Sequence, residues 1–246
     1  FNVAQGGMEF LKDQLVPALW MNDSDGQWST LTNWNSGQTP IAPVQGPGQV
    51  PRVGPLTLPT ERLPGPDDTV ILDRTGATIP VTLASGDHEI RKLELREALD
   101  ITGGSLTVNY VPSPDSTTLG AHISAPLNVD GGSLSVHTML IDAGQTLSLA
   151  GGLTLDTIEL APSFATPAQI NITGDVNFAP LASAEAEIVS AAGGGTAGHV
   201  DLGGENRTWN IANGGASDDL AIDVPVINGA LTKEGFGALV LRNTTS

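Results

Sequence analysis

The sequence predicts an all-β chain, a coil of short strands stacked in parallel (a β-solenoid), and three observations predict it. The first is a phrase repeated down the middle of the chain, two alternating apolar runs on either side of a Gly pair. It reads LDITGGSLTV from Leu99, LNVDGGSLSV from Leu127, LSLAGGLTL from Leu147 and, weakened, INITGDVNF from Ile170. Period-two alternation is the spacing of a strand with one buried face, and glycines between two such runs allow φ > 0 and a corner. Gly103, Gly104, Gly131, Gly132, Gly151 and Gly152 are the predicted corners. The phrases start 28, 20 and 23 residues apart, about one solenoid turn each. The second observation is composition: 30 Gly and only 4% aromatic residues suit a long narrow core of Val, Ile and Leu better than a compact globule. The third is that every segment from about residue 67 onward keeps period two, with no interior helical spacing.

The elements follow in order. Met8, Leu11, Leu15 and Leu19 recur at helical spacing until Pro17 interrupts, so a short helix over Met8 to Val16 is expected, capping the open end of the core or touching a neighbouring subunit. Asp23 and Asp25, with Asn22 and Gly26, partly match an oxygen-rich calcium loop. Met21 stands where its first ligand belongs and no Glu completes it, so an acidic turn is the competing reading. Trp28 and Trp34 read as packing anchors, which places a cap over residues 1–37. Residues 38–66 hold eight almost evenly spaced prolines, an extended arm or surface loop. The solenoid is expected over 67–246, with DDTVILDR its first strand and a change of parity between Ile90 and Leu93 marking a corner. VPSPDSTTLG and ASAEAEIVSAAGGGTAGH read as insertions that project sideways from the coil.

Asp and Glu total 27 against 10 Lys and Arg, a net charge of −17. Such a surface repels phosphate backbones and anionic lipids, which argues against nucleic acid and membrane-surface binding and leaves cations such as Ca²⁺ as the plausible ionic partners. There is no cysteine, hence no disulfide, thiolate metal site or cysteine nucleophile. No apolar run approaches the length that spans a bilayer. The start at Phe1, without Met, suggests a leader already removed.

The stretches WSTLTNWNSGQTP, PGPDDTVILD and IRKLELREALDITGGSLTV resemble the opening of bacterial surface β-solenoid proteins. The tail, at about 207–246, resembles the autotransporter-associated β-strand repeat. Gly229, Leu231, Lys233, Gly235, Gly237, Leu239 and Leu241 match its pattern position by position, with Phe236 in place of a small residue. The resemblance implies a right-handed parallel β-helix in a secreted or surface-displayed protein, with this motif on a buried strand, and implies no single activity.

Catalytic signals are thin. His88, His122, His137 and His199 are scattered, with no metal-ligand spacing. Parallel β-helices that cleave polysaccharides use clustered carboxylates with a Lys or Arg base, and the nearest candidates are Arg91, Lys92, Glu94, Arg96, Glu97 and Asp100. Opposite charges on a solvated strand face explain them more simply, and Asp218 and Asp219 read as a solvated turn. Three functions are ranked: a non-enzymatic structural or adhesive module at the cell surface, a carbohydrate-active enzyme, and a glycan- or protein-binding module. No cofactor is expected beyond a possible Ca²⁺. Self-association is expected through the N-terminal segment, the Pro-rich arm or the solenoid ends, because open sheet edges template further chains and the repeat is interrupted at Ser246.

Overall fold

The computed structural model describes residues 17–35, 62–74, 80–111, 119–181 and 184–243. Among them the chain is all-β, nineteen strands in one sheet with a single 3-10 turn at Leu31–Asn33 and no α-helix. The helix expected over Met8 to Val16, most of the Pro-rich arm and the centre of the VPSPDSTTLG loop lie outside the described residues.

The strands are β1 (Ala18–Trp20), β2 (Gly26–Gln27), β3 (Trp34–Asn35), β4 (Thr69–Leu72), β5 (Val81–Leu83), β6 (Asp87–Ile90), β7 (Lys92–Leu95), β8 (Leu99–Ile101), β9 (Ser105–Val108) and β10 (Ala121–Ile123). They continue with β11 (Leu127–Ile141), β12 (Thr146–Leu160), β13 (Gln169–Ile172), β14 (Val176–Pro180), β15 (Ala186–Ser190), β16 (His199–Ile211), β17 (Leu220–Ile222), β18 (Val226–Glu234) and β19 (Leu239–Leu241). Parallel pairing sorts them into three columns. In one, Val81, Leu99, Leu127, Leu147, Ile170, Val200 and Val226 stack in register, so the four sequence phrases superpose from their first residues. In the next, His88, Leu106, Leu134, Leu153, Phe178 and Ile211 stack. In the last, Val70, Leu93, Ala121, Met139, Ile158, Ile188 and Ile222 stack. Each full turn of chain lays one segment in each column; the long strands β11 and β12 run through all three, and β16 and β18 run around the corner from the first to the second.

Side chains inside the columns form one continuous core. Apart from His88 at one end and Val226 at the other, every residue just named is at most 1% exposed. Burial of each Val, Leu or Ile contributes on the order of 1.5–3 kcal/mol, and alternation exposes every second residue to water.

Two kinds of corner join the columns. Between the first and second columns the Gly pairs turn the chain, but positive φ accounts for only part of their use: Gly104 (φ 70°) and Gly131 (φ 83°) adopt it. At Gly103, Gly132, Gly151 and Gly152 the backbone stays in the ordinary region, and glycine is needed because the previous turn lies underneath. A Cβ at Gly103 would sit 2.4 Å from the Ala84 carbonyl oxygen, and one at Gly151 2.5 Å from that of Gly132. At Gly132 and Gly152 the obstacles are Ile101 Cγ2 at 2.6 Å and Ser133 Cβ at 2.7 Å. Between the second and third columns three of the corners use no glycine, while Gly120, Gly214 with Gly215, and Gly235 with Gly237 lie in others. Two successive outward residues, Arg91 and Lys92, His137 and Thr138, or Asp156 and Thr157, slip the alternation by one. The parity change at Ile90 to Leu93 is one of these corners.

The stack begins earlier than residue 67. Ala18 and Leu19 pair in parallel with Val70 and Ile71, and Gly26 and Gln27 with Val81 and Thr82, so residues 36–61 interrupt the first turns rather than precede them. Over that end β3 pairs antiparallel with β1, and three indoles close the core. Trp34 packs edge-on against Trp20 and Trp28, with ring centroids 5.1 and 4.7 Å apart, and its Nε1–H donates to the Trp28 carbonyl at 2.7 Å. Trp28 in turn lies 6.0 Å from the His88 ring. Trp28→Ala should therefore cost about 3–5 kcal/mol, with hydrogen exchange accelerating first at Thr69–Ile90.

AEIVS, read as part of an insertion, is the strand β15, and the true excursion is 191–198. The tail motif forms the last turns, but not as a buried strand. Gly229, Leu231 and Lys233 lie on β18, which is almost wholly exposed, Gly235 and Gly237 form the next corner, and Leu239 and Leu241 lie on β19, where Leu241 is 41% exposed.

Candidate functional site

The outward face of the third column and the corners that flank it carry most of the ion pairs among the described residues. Backbone hydrogen bonds stack this corner turn on turn: Arg96 on Leu72, Ser124 on Leu95, Asp142 on Ile123, and Arg242 on Ile222. The register thus brings together residues far apart in sequence. Arg96 donates to Asp73 at 2.8 Å and to Glu94 at 3.2 Å. One turn on, Asp142 accepts from the Ser124 hydroxyl at 2.6 Å and contacts His122 Nε2 at 2.9 Å; His137 similarly contacts Asp156 at 2.6 Å. At the far end Arg242 bonds Glu185 and lies 3.6, 3.9 and 3.7 Å from Glu187, Asp218 and Asp223.

The six residues singled out as a lyase-like group do not converge. Arg91 and Lys92 turn to Tyr110, at 5.8 and 4.1 Å from its ring centroid, Glu94 and Arg96 form the cluster above, Glu97 is buried, and Asp100 accepts from Asn128 at 2.5 Å in another column. An arginine base requires loss of a proton, and here the opposite is enforced. The hydrogen bond that Arg96 donates to Asp73, with the charges of Glu94 and Asp73, raises the Arg96 pKa above its ordinary value. At Arg242 loss of hydration works against the charge, yet Glu185, Asp223 and Glu187 outweigh it and raise the pKa as well. Ser124 donates its hydroxyl hydrogen to the Asp142 carboxylate rather than to the imidazole of His122. The arrangement ties turns together. Arg96→Met should change stability by no more than about 1 kcal/mol, with the difference shrinking in high salt, because the pair is half exposed.

Asp23 and Asp25 lie on one exposed turn, where their neighbours engage them differently. Asp23 pairs with Arg74, while Asn22 Oδ1 accepts from the Ser24 amide and hydroxyl at 3.1 and 2.9 Å, closing an Asx turn that leaves Asp25 exposed. Among the described residues no group of three or more His, Asp or Glu is placed to hold a metal ion, and no helix is long and apolar enough to cross a membrane. Asp219 differs from its reading as solvated. It is 2% exposed and accepts from the Gly214 and Ala238 amides at 2.7 and 2.8 Å. Its neighbour Asp218 alone keeps to the surface. Compared with protein-family models, curated proteins and solved structures, the chain matches none of them.

Proposed function

We propose that the chain is a non-enzymatic structural or adhesive module of the cell surface or extracellular space, built as a right-handed parallel β-helix. The observation that carries this reading is the use made of the outward polar groups. From Asp73 with Arg96 to Arg242 with its four carboxylates, ionic side chains join one turn to the next along the corner rather than converge on a cleft. A single apolar ladder under that surface gives a rod whose length scales with turns, the property a stalk or filament subunit needs. The right hand follows from the near-universal handedness of crossovers between parallel strands of one sheet. The surface location and the repeat family rest on the quoted motifs, and the anionic surface is consistent with repulsion of nucleic acid.

Light scattering of the purified chain, with electron microscopy of the native material, tests the reading. Filaments or sheets and a scattering mass above 25.2 kDa are expected. A strictly monomeric chain, or release of reducing ends or unsaturated uronates from polysaccharide substrates, would contradict it, the latter in favour of an enzyme.

A further inference from the structure

We propose that the projection carrying Phe164 is a binding tip for neutral polysaccharide, its ring stacking on the apolar face of a sugar unit; this gives the adhesive reading above, on which it rests, a ligand class. Two excursions leave the same corner one turn apart, residues 161–168 between β12 and β13 and residues 191–198 between β15 and β16. They are fastened to each other. Ser163 N–H donates to the Thr196 carbonyl and Thr196 N–H to the Ser163 carbonyl, both at 3.0 Å. The first excursion is also closed on itself, by Ala168 N–H to the Ala161 carbonyl at 3.0 Å and by Ser163 Oγ accepting from the Ala165 and Thr166 amides at 3.1 and 3.3 Å. The second lies flat against it. A Cβ on Gly193 would come within 2.9 Å of Pro162 Cγ, and Gly195 (φ 117°) would place one 2.5 Å from the Ser163 carbonyl carbon. The result is a braced platform, and Phe164 stands on it 91% exposed.

Three features select the ligand. None of the residues in 161–168 or 191–198 is ionisable, although the chain carries −17, so the tip offers nothing to an ion and suits an uncharged partner. One ring presents far less than the ~800 Å² per side that a stable protein interface buries, whereas it matches a single sugar, and several tips on self-associated copies engaging one polysaccharide restore affinity through multivalency. The negative face of an aromatic ring attracts the electropositive C–H groups on the flat side of a pyranose. Bracing the backbone that carries the ring lowers the entropy cost of capture. Phe236 serves as an internal control, being 96% exposed but on the corner beside Lys233 and Glu234.

Retention of the whole chain on amorphous cellulose and chitin, and affinity electrophoresis in a soluble neutral β-glucan, test the proposal. Wild type should be retained by at least one of the three. F164A should weaken that binding about tenfold, the scale of one lost stacking contact, with an unchanged melting temperature, while F164W retains binding and F236A leaves it as in wild type. Absence of wild-type binding to all three, or equal binding by F164A, overturns the proposal. So does a self-associated state that F164A abolishes without any glycan retention, which would assign the ring to a second copy. Filaments in the micrographs together with no glycan binding would reject this tip and leave the structural reading standing.

Discussion

Gly104→Val lowers the melting temperature of the chain by more than any substitution of an outward hydroxyl. Two costs coincide at Gly104. Its φ of 70° is strained for a side chain, and its added Cβ would lie 2.2 Å from the Gly86 carbonyl oxygen and 2.7 Å from the Ser85 carbonyl carbon, atoms of the turn beneath. Backbone in a stacked corner yields only if successive turns separate, so the loss should reach about 3 kcal/mol or more, roughly 6 °C or more in a chain of this size. Gly144 isolates the first cost, since its φ is 78° but nothing lies within 4 Å of a Cβ placed there. Gly144→Ala should therefore cost only about 1 kcal/mol, and Ser135→Ala, on the outward face, within about 0.5 kcal/mol. Equal melting temperatures for Gly104→Val and Gly144→Ala would show that the corners do not stack.

Asp219→Ala is expected to be nearly as damaging, for an unrelated reason. Both carboxylate oxygens accept backbone amides, Gly214 from the preceding loop and Ala238 from the approach to the last strand. Alanine would leave two donors unpaired next to a 2% exposed position, at about 1–3 kcal/mol each. Asn restores one acceptor but turns an NH₂ group toward the other amide, so Asp219→Asn should recover only part of the loss. The readout is hydrogen exchange at Ala238 and Leu239, which should accelerate in both variants while that of Leu147–Leu149 stays as in wild type. Unchanged exchange at Ala238 would return Asp219 to the solvated turn that its sequence suggests.

These two sites mark what the sequence reveals. Glycine pairs between alternating runs stand out because glycine is rare inside strands, and the phrases they define superpose in register. The third strand of the middle turns is hidden, because its corner is made by two outward residues such as His137 and Thr138 instead of glycine, and AEIVS, led by a small Ala186, passes for a loop. The first turn is hidden too, since strands of three and two residues at Ala18–Trp20 and Gly26–Gln27 are too short to show a period. The ionic corner could not be anticipated. Asp73 meets Arg96, and Arg242 meets Glu185, only through turn-to-turn register, which depends on the length of every intervening loop. Asp219 misleads because Asp and Gly around it are ordinary turn residues, and nothing local signals that the turn folds back under the next strand.

The central claim is that turns of chain stack in one direction at a constant rise, and distance measurements between spin labels test it most directly, in a chain with no cysteine of its own. Thr82, Asp100, Asn128, Ser148, Asn171, Asp201 and Ile227 occupy one outward line, each in register with the next. At ~4.8 Å per strand, labels at Thr82→Cys and Asn171→Cys should lie ~19 Å apart along the stack, and labels at Thr82→Cys and Ile227→Cys ~29 Å. The difference of ~10 Å does not depend on label length. Equal distances for the two pairs, or a shorter one for Ile227, would mean that the chain folds back on itself, and the stacked coil would be wrong.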